Sequence, residues 1–293
     1  IARAPQIEAS PEANPANPAG ELDAGLAQLP KFRGGTDMWN GECLVHLAGR
    51  DLRYCPDRAQ WLVWTGTHWQ WDAVGVLAEE RAKVVVRALY RMASDADTKE
   101  ERDKLASWAL RSEASARVLA MLQMARSEPT VRVSLADLDA DPDLFNVRNG
   151  TIDLKTGELR PHRRGDMITK CAPVDFDPDA KSDLWEECLH AITCGDVDLQ
   201  HYLAKAVGYA LTGHAREDLV FFLYGKGSNG KTTFMSTVAA MMGDYAGTIH
   251  ASELIDDRKR NTGHRDAIAA LAGKRLVIVS ECPERMKLDM GTL

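Results

Sequence analysis

Eight residues near the C-terminal end constrain this chain more than any others: Gly225-Lys226-Gly227-Ser228-Asn229-Gly230-Lys231-Thr232. This spacing of glycines ahead of a Lys-Thr pair belongs to loops that cradle phosphate groups, and each position has a physical task. Gly225 and Gly230 let the backbone take positive φ and bring N–H groups against phosphate oxygens. Lys231 supplies a point charge to β- and γ-phosphates, and Thr232 offers a hydroxyl to Mg²⁺, with Thr233 on the same turn. A helix starting here would aim the positive end of its dipole at the anion. At ordinary residue frequencies such a string arises by accident in about one chain in a hundred of this length, so its surroundings matter. Before it, Leu219 to Tyr224 is a continuous apolar run, which predicts a parallel strand buried on both faces. After it, a helical pattern runs from Lys231 through Met242.

A phosphate loop of this kind needs a carboxylate for the metal and the attacking water. Arg275-Leu276-Val277-Ile278-Val279-Ser280 reads as a second buried strand, and Glu281 stands at its end. Ligands of parallel sheets bind outside the C-terminal ends of the strands, which makes Glu281 the candidate acid. Glu284, a little further on, reads better as a solvated loop residue. Asp256 and Asp257 belong to a charged stretch with Arg258, Lys259 and Arg260. That stretch reads as a solvent-facing loop, the alternative being that it reaches DNA or a neighbouring subunit's nucleotide.

Upstream, residues 1–35 carry Pro5, Pro11, Pro15, Pro18 and Pro30 among Ala, Glu and Asn, and close on Gly34-Gly35. Too few large apolar groups are present to offset ordering entropy, so this segment reads as a flexible linker. Ile1 at the start, where Met is usual, suggests a fragment or processed product, with a further domain ahead of the linker. From Thr36, the positions of Met38, Leu44, Val45 and Leu47 predict a short helix capped by Thr36 or Asp37. Trp61 to Trp64 and Trp69 to Asp72, around Thr65-Gly66-Thr67-His68, predict a β-hairpin. Its four tryptophans could stack on nucleotide bases, but filling the core of a small domain is the stronger reading.

Helical periodicity spans Leu77 to Met92; Thr98 with Glu101 opens a second helix, and Ser112 is the expected cap of a third that ends before Pro129. Phe145 to His162 predicts a hairpin or short meander. Two further helices follow, Asp183 to about Thr193 and Val197 to Leu211, the latter closed by Gly213. The organisation expected is thus a linker (1–35), a mainly helical domain with β-hairpins (36–215) and a nucleotide-binding α/β core (216–293).

Composition narrows the function classes. No apolar stretch is long enough for a membrane span, and the N-terminus lacks the apolar run of a signal peptide, so a cytoplasmic setting is expected. Cys43, Cys55, Cys171, Cys188, Cys194 and Cys282 have no C-x-x-C pairing, which favours scattered buried thiols over a metal site or disulfide framework. A formal charge of −7 argues against coating nucleic acid with the whole surface, but leaves room for a local pore or loop.

Gly225 to Thr233, with Asn229 ahead of Gly230, resembles the Walker A loop of superfamily-three helicases, and Leu276 to Glu281 resembles their Walker B strand. Asn146-Val147-Arg148-Asn149-Gly150-Thr151-Ile152-Asp153-Leu154 and Gly208-Tyr209-Ala210-Leu211-Thr212-Gly213 are similar to the domain preceding the helicase in phage and plasmid primase-helicases and poxvirus-type NTPases. The resemblance covers most of the chain from Thr36 onward. It implies an AAA+-like ATPase that assembles as a homo-oligomeric ring, usually a hexamer, and translocates on single-stranded or forked DNA. It also implies a primase domain N-terminal to this region in many members, and the cytoplasm of a bacterial host as the setting. Carried over residue by residue, it assigns Lys231 and Thr232 to ATP and Mg²⁺, and Glu281 to Mg²⁺ and water activation. Family elements that follow the Walker B strand would lie beyond Leu293, so the core in this chain is expected to be truncated. Two other readings stand beside the helicase: a non-catalytic module that binds ATP for assembly, and a small-molecule P-loop kinase, disfavoured by the short span between Thr233 and Lys274.

Overall fold

A computed structural model describes residues 29–32, 34–217, 220–225, 227, 229–251 and 270–280. Lys226, Ser228, Glu281, Glu284, Cys282, the charged stretch from Asp256 to Arg260 and nearly all of the expected linker lie outside these residues. The chain divides into two compact units, Ile1–Leu138 and Asp139–Leu293.

In the first unit, helix α1 (Asp37–Ala48) is followed by strands β1 (Leu52–Cys55), β2 (Gln60–Trp64) and β3 (Trp69–Asp72), then by helices α2 (Val76–Ser94), α3 (Lys99–Ser112) and α4 (Ser115–Ala125). Thr36 caps α1 by accepting the Trp39 N–H at 3.2 Å, and Thr98 caps α3 by accepting that of Glu101. Residue Gly75 leaves α2 without a side-chain cap of its own, and the buried Asp72 carboxylate supplies one from the preceding strand, accepting the Ala78 N–H at 2.8 Å. The three strands form an antiparallel sheet in the order β1-β2-β3, with Trp64 opposite Trp69 across the Thr65–His68 turn. Trp39, Leu44, Trp61, Val85, Leu89, Trp108 and Met121 make the core of this unit.

Two expectations change here. Ser112 does not cap the third helix: it is the last residue of α3, fully buried, and its hydroxyl accepts from Asn40 Nδ2 at 3.1 Å. Asn40 in turn accepts the Trp108 indole N–H at 2.9 Å, so the serine serves a buried polar network and the chain turns into α4 at Ala114 instead. As for the tryptophans, Trp61, Trp64 and Trp69 are buried, and half-buried Trp71 lies under the Arg58 guanidinium at 4.7 Å. They serve as packing, the stronger of the two readings above.

The second unit opens with an antiparallel meander, β4 (Leu144–Val147), β5 (Gly150–Asp153) and β6 (Glu158–Arg160). Helices α5 (Asp183–Ile192), capped by Ser182, and α6 (Val197–Leu211), capped by Asp196, come next, followed by α7 (Lys231–Met242). Strands β7 (Ala246–His250) and β8 (Leu276–Ser280) pair in parallel, Ala246 opposite Leu276 and His250 opposite Ser280. Seven α-helices and three small sheets among the described residues make this a mixed α/β molecule.

Phe145, Val147 and Ile152 of the meander share one core with Phe234, Val238 and Met242 of α7 and with Tyr245, whose ring stacks on Phe145 at 4.5 Å. A division near residue 215, as read from the sequence, therefore does not coincide with the compact units. The meander and the helix after the glycine loop are packed together, and apolar burial joins what a change in sequence character separates.

Leu219 lies outside the described residues, but Val220 to Tyr224 is a correction. This run forms no strand and is exposed, from 40% at Leu223 to 91% at Tyr224. A buried parallel strand needs hydrogen-bonded neighbours, and among the described residues β7 and β8 pair only with each other. Helix α6 also ends differently: Thr212 is extended, and Gly213 donates its N–H to the Pro142 carbonyl at 2.8 Å. A Cβ on Gly213 would stand 3.0 Å from Pro142 Cα, so glycine here serves close approach of backbones and not a left-handed cap.

Candidate phosphate-binding site

Helix α7 starts at Lys231, and the loop before it bends at Gly225 (φ +149°) and Gly230 (φ +81°), both in the range that favours glycine. No side chain caps the N-terminus of α7, which leaves first-turn N–H groups available to an anion. The Lys231 ammonium folds back over the loop, donating to Asn229 Oδ1 at 2.7 Å and to the Gly225 carbonyl at 3.2 Å. Thr232 and Thr233 are exposed on the first turn, as are Gly227 and Asn229 in the loop. A cation, two hydroxyls and free N–H groups thus gather at one helix end.

The support beneath the loop comes from residues that sequence reasoning did not single out. Ile192, the last residue of α5, fills the space where a Cβ on Gly230 would go. Trp185 of the same helix stacks on Phe234 of α7 with ring centroids 5.7 Å apart. Asn229 packs against Gly225, where an added Cβ would stand 2.5 Å from its amide nitrogen. Only the glycines signalled any of this in the sequence, and they could not say which neighbour demanded them.

Strand β8 (Leu276–Ser280) begins one residue after the run expected from Arg275 and ends at the residue before Glu281 in sequence. It is not the buried strand expected: Leu276, Ile278 and Val279 are half-buried and Val277 is exposed. Its first neighbour, Arg275, carries a half-buried guanidinium that donates to the carbonyls of Leu211 (2.6 Å) and Leu144 (2.8 Å). Burial holds its pKa below the usual arginine value. Nothing in the sequence marked this residue.

The Asn146-to-Leu154 motif has a structural explanation. Fully buried Asn146 donates from Nδ2 to the Lys170 carbonyl at 3.0 Å, and its Oδ1 accepts from the Thr151 hydroxyl at 2.9 Å. His162 bridges that same oxygen and the Arg148 carbonyl. At the other end of the meander, Lys155 and His214 both bond Asp143 and hold its carboxyl below the usual range.

Among the described residues no group of His, Cys, Asp and Glu could by itself hold a metal ion, and no helix is long and apolar enough to cross a membrane. The described cysteines are free thiols, but only Cys43 and Cys55 are buried as expected; Cys171 and Cys188 are half-buried and Cys194 is exposed.

The chain is 26% identical over 149 residues to a protein of African swine fever virus named "Putative primase C962R". That match takes in 49% of this chain but 16% of the viral protein, so the chain spans a small part of that relative's length. The family described as D5 N terminal like matches residues 41–194, which takes in all three strands of the first sheet and the whole meander, and ends ahead of the glycine loop. With more than half of its length matched, the chain belongs to the D5 N-terminal-like family.

Proposed function

We propose that this chain is the nucleotide-binding part of a replicative DNA helicase of the primase-helicase type, driven by ATP hydrolysis. The observation that carries the reading is the loop from Gly225 to Lys231: two positive-φ glycines, an inward-turned lysine and an uncapped helix start, in a chain whose preceding residues belong to the D5 N-terminal-like family. The viral relative's name supports a replication setting.

The donor set fits a nucleoside triphosphate with its metal. Backbone N–H groups at the start of α7 would face phosphate oxygens, and Lys231 would exchange its bonds to Asn229 and Gly225 for the β- and γ-phosphates. Thr232, with Glu281 from the end of the acid-bearing strand, would hold Mg²⁺, which supplies charge neutralisation to the transferring phosphoryl group. Glu281 would also orient and polarise the attacking water. DNA, single-stranded or forked, is the proposed track; a homo-oligomeric ring, probed as a hexamer, is the proposed assembly; and a primase domain in the same polypeptide is the proposed neighbour.

ATP turnover measured on the full-length protein, with and without single-stranded DNA, tests this. A DNA-stimulated rate is expected. Tight nucleotide binding with no turnover in either condition would favour a non-catalytic assembly module instead, and phosphoryl transfer to a metabolite would favour a kinase.

A further inference from the structure

We propose that Arg275 is a positioning residue for ATP hydrolysis, setting the strand that leads to Glu281 against the segment that leads to the phosphate loop; this rests on the ATPase reading above. One side chain ties three elements together. Its Nη1 donates to the carbonyl of Leu211, the final residue of α6, at 2.6 Å, and its Nη2 to the carbonyl of Leu144, the first residue of β4, at 2.8 Å. The guanidinium lies over the Tyr245 ring at 4.7 Å, and the Arg275 main-chain N–H donates to the Tyr245 carbonyl at 2.7 Å. Both faces of the contact, side chain and backbone, thus hold the start of β8.

The partners are unusual for a half-buried arginine. Among the described residues they are carbonyl oxygens and aromatic faces; Asp139, Asp141 and Asp143 are near enough to influence its charge, yet none forms an ion pair with it. A half-buried cation bonded to neutral carbonyls is poorly explained as charge neutralisation. It is well explained as geometry, because the planar fork can hold two fixed acceptors at once, as a lysine ammonium on its flexible stem cannot.

Each tied element leads towards the site. Carbonyls in the last turn of a helix have no intrahelical partner, and Arg275 fixes one where the chain leaves α6 for the phosphate loop. Gly213, two residues later, is packed so closely that an added Cβ would be 3.5 Å from Arg275 Nε. On the other side, Leu276 opens β8 in register with Ala246, and a slip of one residue would turn every β8 side chain to the opposite face. Arg275 stands six positions before Glu281 in sequence, so an error at the staple is carried along a short strand to the acid.

The test compares wild-type, Arg275→Lys and Arg275→Gln full-length proteins by ATPase kinetics and by amide hydrogen exchange. In Arg275→Lys, kcat is expected to fall about a hundredfold, the scale for a misplaced catalytic group. KM for ATP should change less than about threefold, because among the described residues Lys231 and its loop make no bond to Arg275. Exchange should quicken across residues 276–280 and stay as in wild type across α7, with a larger loosening of β8 in Arg275→Gln. Unchanged kcat, or equal damage to kcat and KM with exchange raised throughout residues 139–251, would overturn the proposal. If the wild type itself shows no turnover, the ATPase reading fails and Arg275 with it as a residue of that reaction. Exchange then judges the staple alone: unchanged β8 exchange in Arg275→Lys removes that too.

Discussion

Two apolar runs of similar composition meet opposite fates in this molecule. Gln60-Trp61-Leu62-Val63-Trp64 is the central strand of a three-stranded sheet, and its four apolar residues are buried. Val220-Phe221-Phe222-Leu223-Tyr224 forms no strand and is exposed along its length. Hydrophobicity does not separate them. The first run has antiparallel partners on both edges, brought by turns a few residues long, whereas the second has no strand partner among the described residues. Apolar character states a demand for burial; neighbours in the chain decide whether local pairing meets it. The contrast also separates surroundings, since the first region lies in a packed core and the second leads into the glycine loop, where Gly227 and Asn229 are exposed.

If that division is right, substitutions in the two regions should be read by different instruments. The largest effect belongs to chemistry: Glu281→Gln in the full-length protein should cut ATP turnover by about a hundred- to ten-thousandfold while keeping ATP binding and thermal stability. Glu284→Gln should change turnover far less, and if it is the inactive variant instead, the acid is misplaced by three residues. Next comes packing. Trp69→Ala empties a fully buried site opposite Trp64 and should destabilise the first unit by about 3–5 kcal/mol in denaturant unfolding. A loss below 1 kcal/mol, on the order of a surface change, would break the claim that this sheet is a packed core.

Intermediate between core and surface, Asn146→Ala strips partners from Thr151, His162 and the Lys170 carbonyl and should destabilise by about 1–3 kcal/mol. Were it neutral in stability but damaging to turnover, the motif around it would belong to the site after all. At the small end, Phe222→Ser should alter stability by no more than about 0.5 kcal/mol, because its side chain is exposed. A loss as large as that of Trp69→Ala would mean the run is buried in the protein as it exists in solution, and the two regions would no longer differ.

Much of the helical architecture was legible because its signals are local. Helix α7 begins and ends where the sequence pattern does, at Lys231 and Met242, since the glycine loop and Gly243 mark both ends. Thr36 and Thr98 bond the N–H three residues on, as expected of caps; Ser182 and Asp196, not singled out in the sequence, do the same. Failures came where a residue's partner is remote in sequence. Ser112 resembles a cap but serves Asn40, 72 residues away. Strand β1 has four residues, Arg among them, and β7 holds a Gly and a His, so neither shows a run that declares itself. Arg275 was invisible for the same reason, its two carbonyl partners lying 64 and 131 residues upstream. Of the candidate site, the bends at Gly225 and Gly230 and the helix start at Lys231 were readable because their signal lies in consecutive residues. Ile192 and Trp185, which support them, were not.

ATP binding by the loop from Gly225 to Thr232 is proposed to run through Lys231. Isothermal calorimetry of ATP with Mg²⁺ on wild-type and Lys231→Ala full-length protein tests it most directly, with circular dichroism to show that both are folded. Clear binding is expected of the wild type and severe weakening or loss in the variant, since the loop loses its inward-turned cation. Equal affinity in two folded proteins would contradict it.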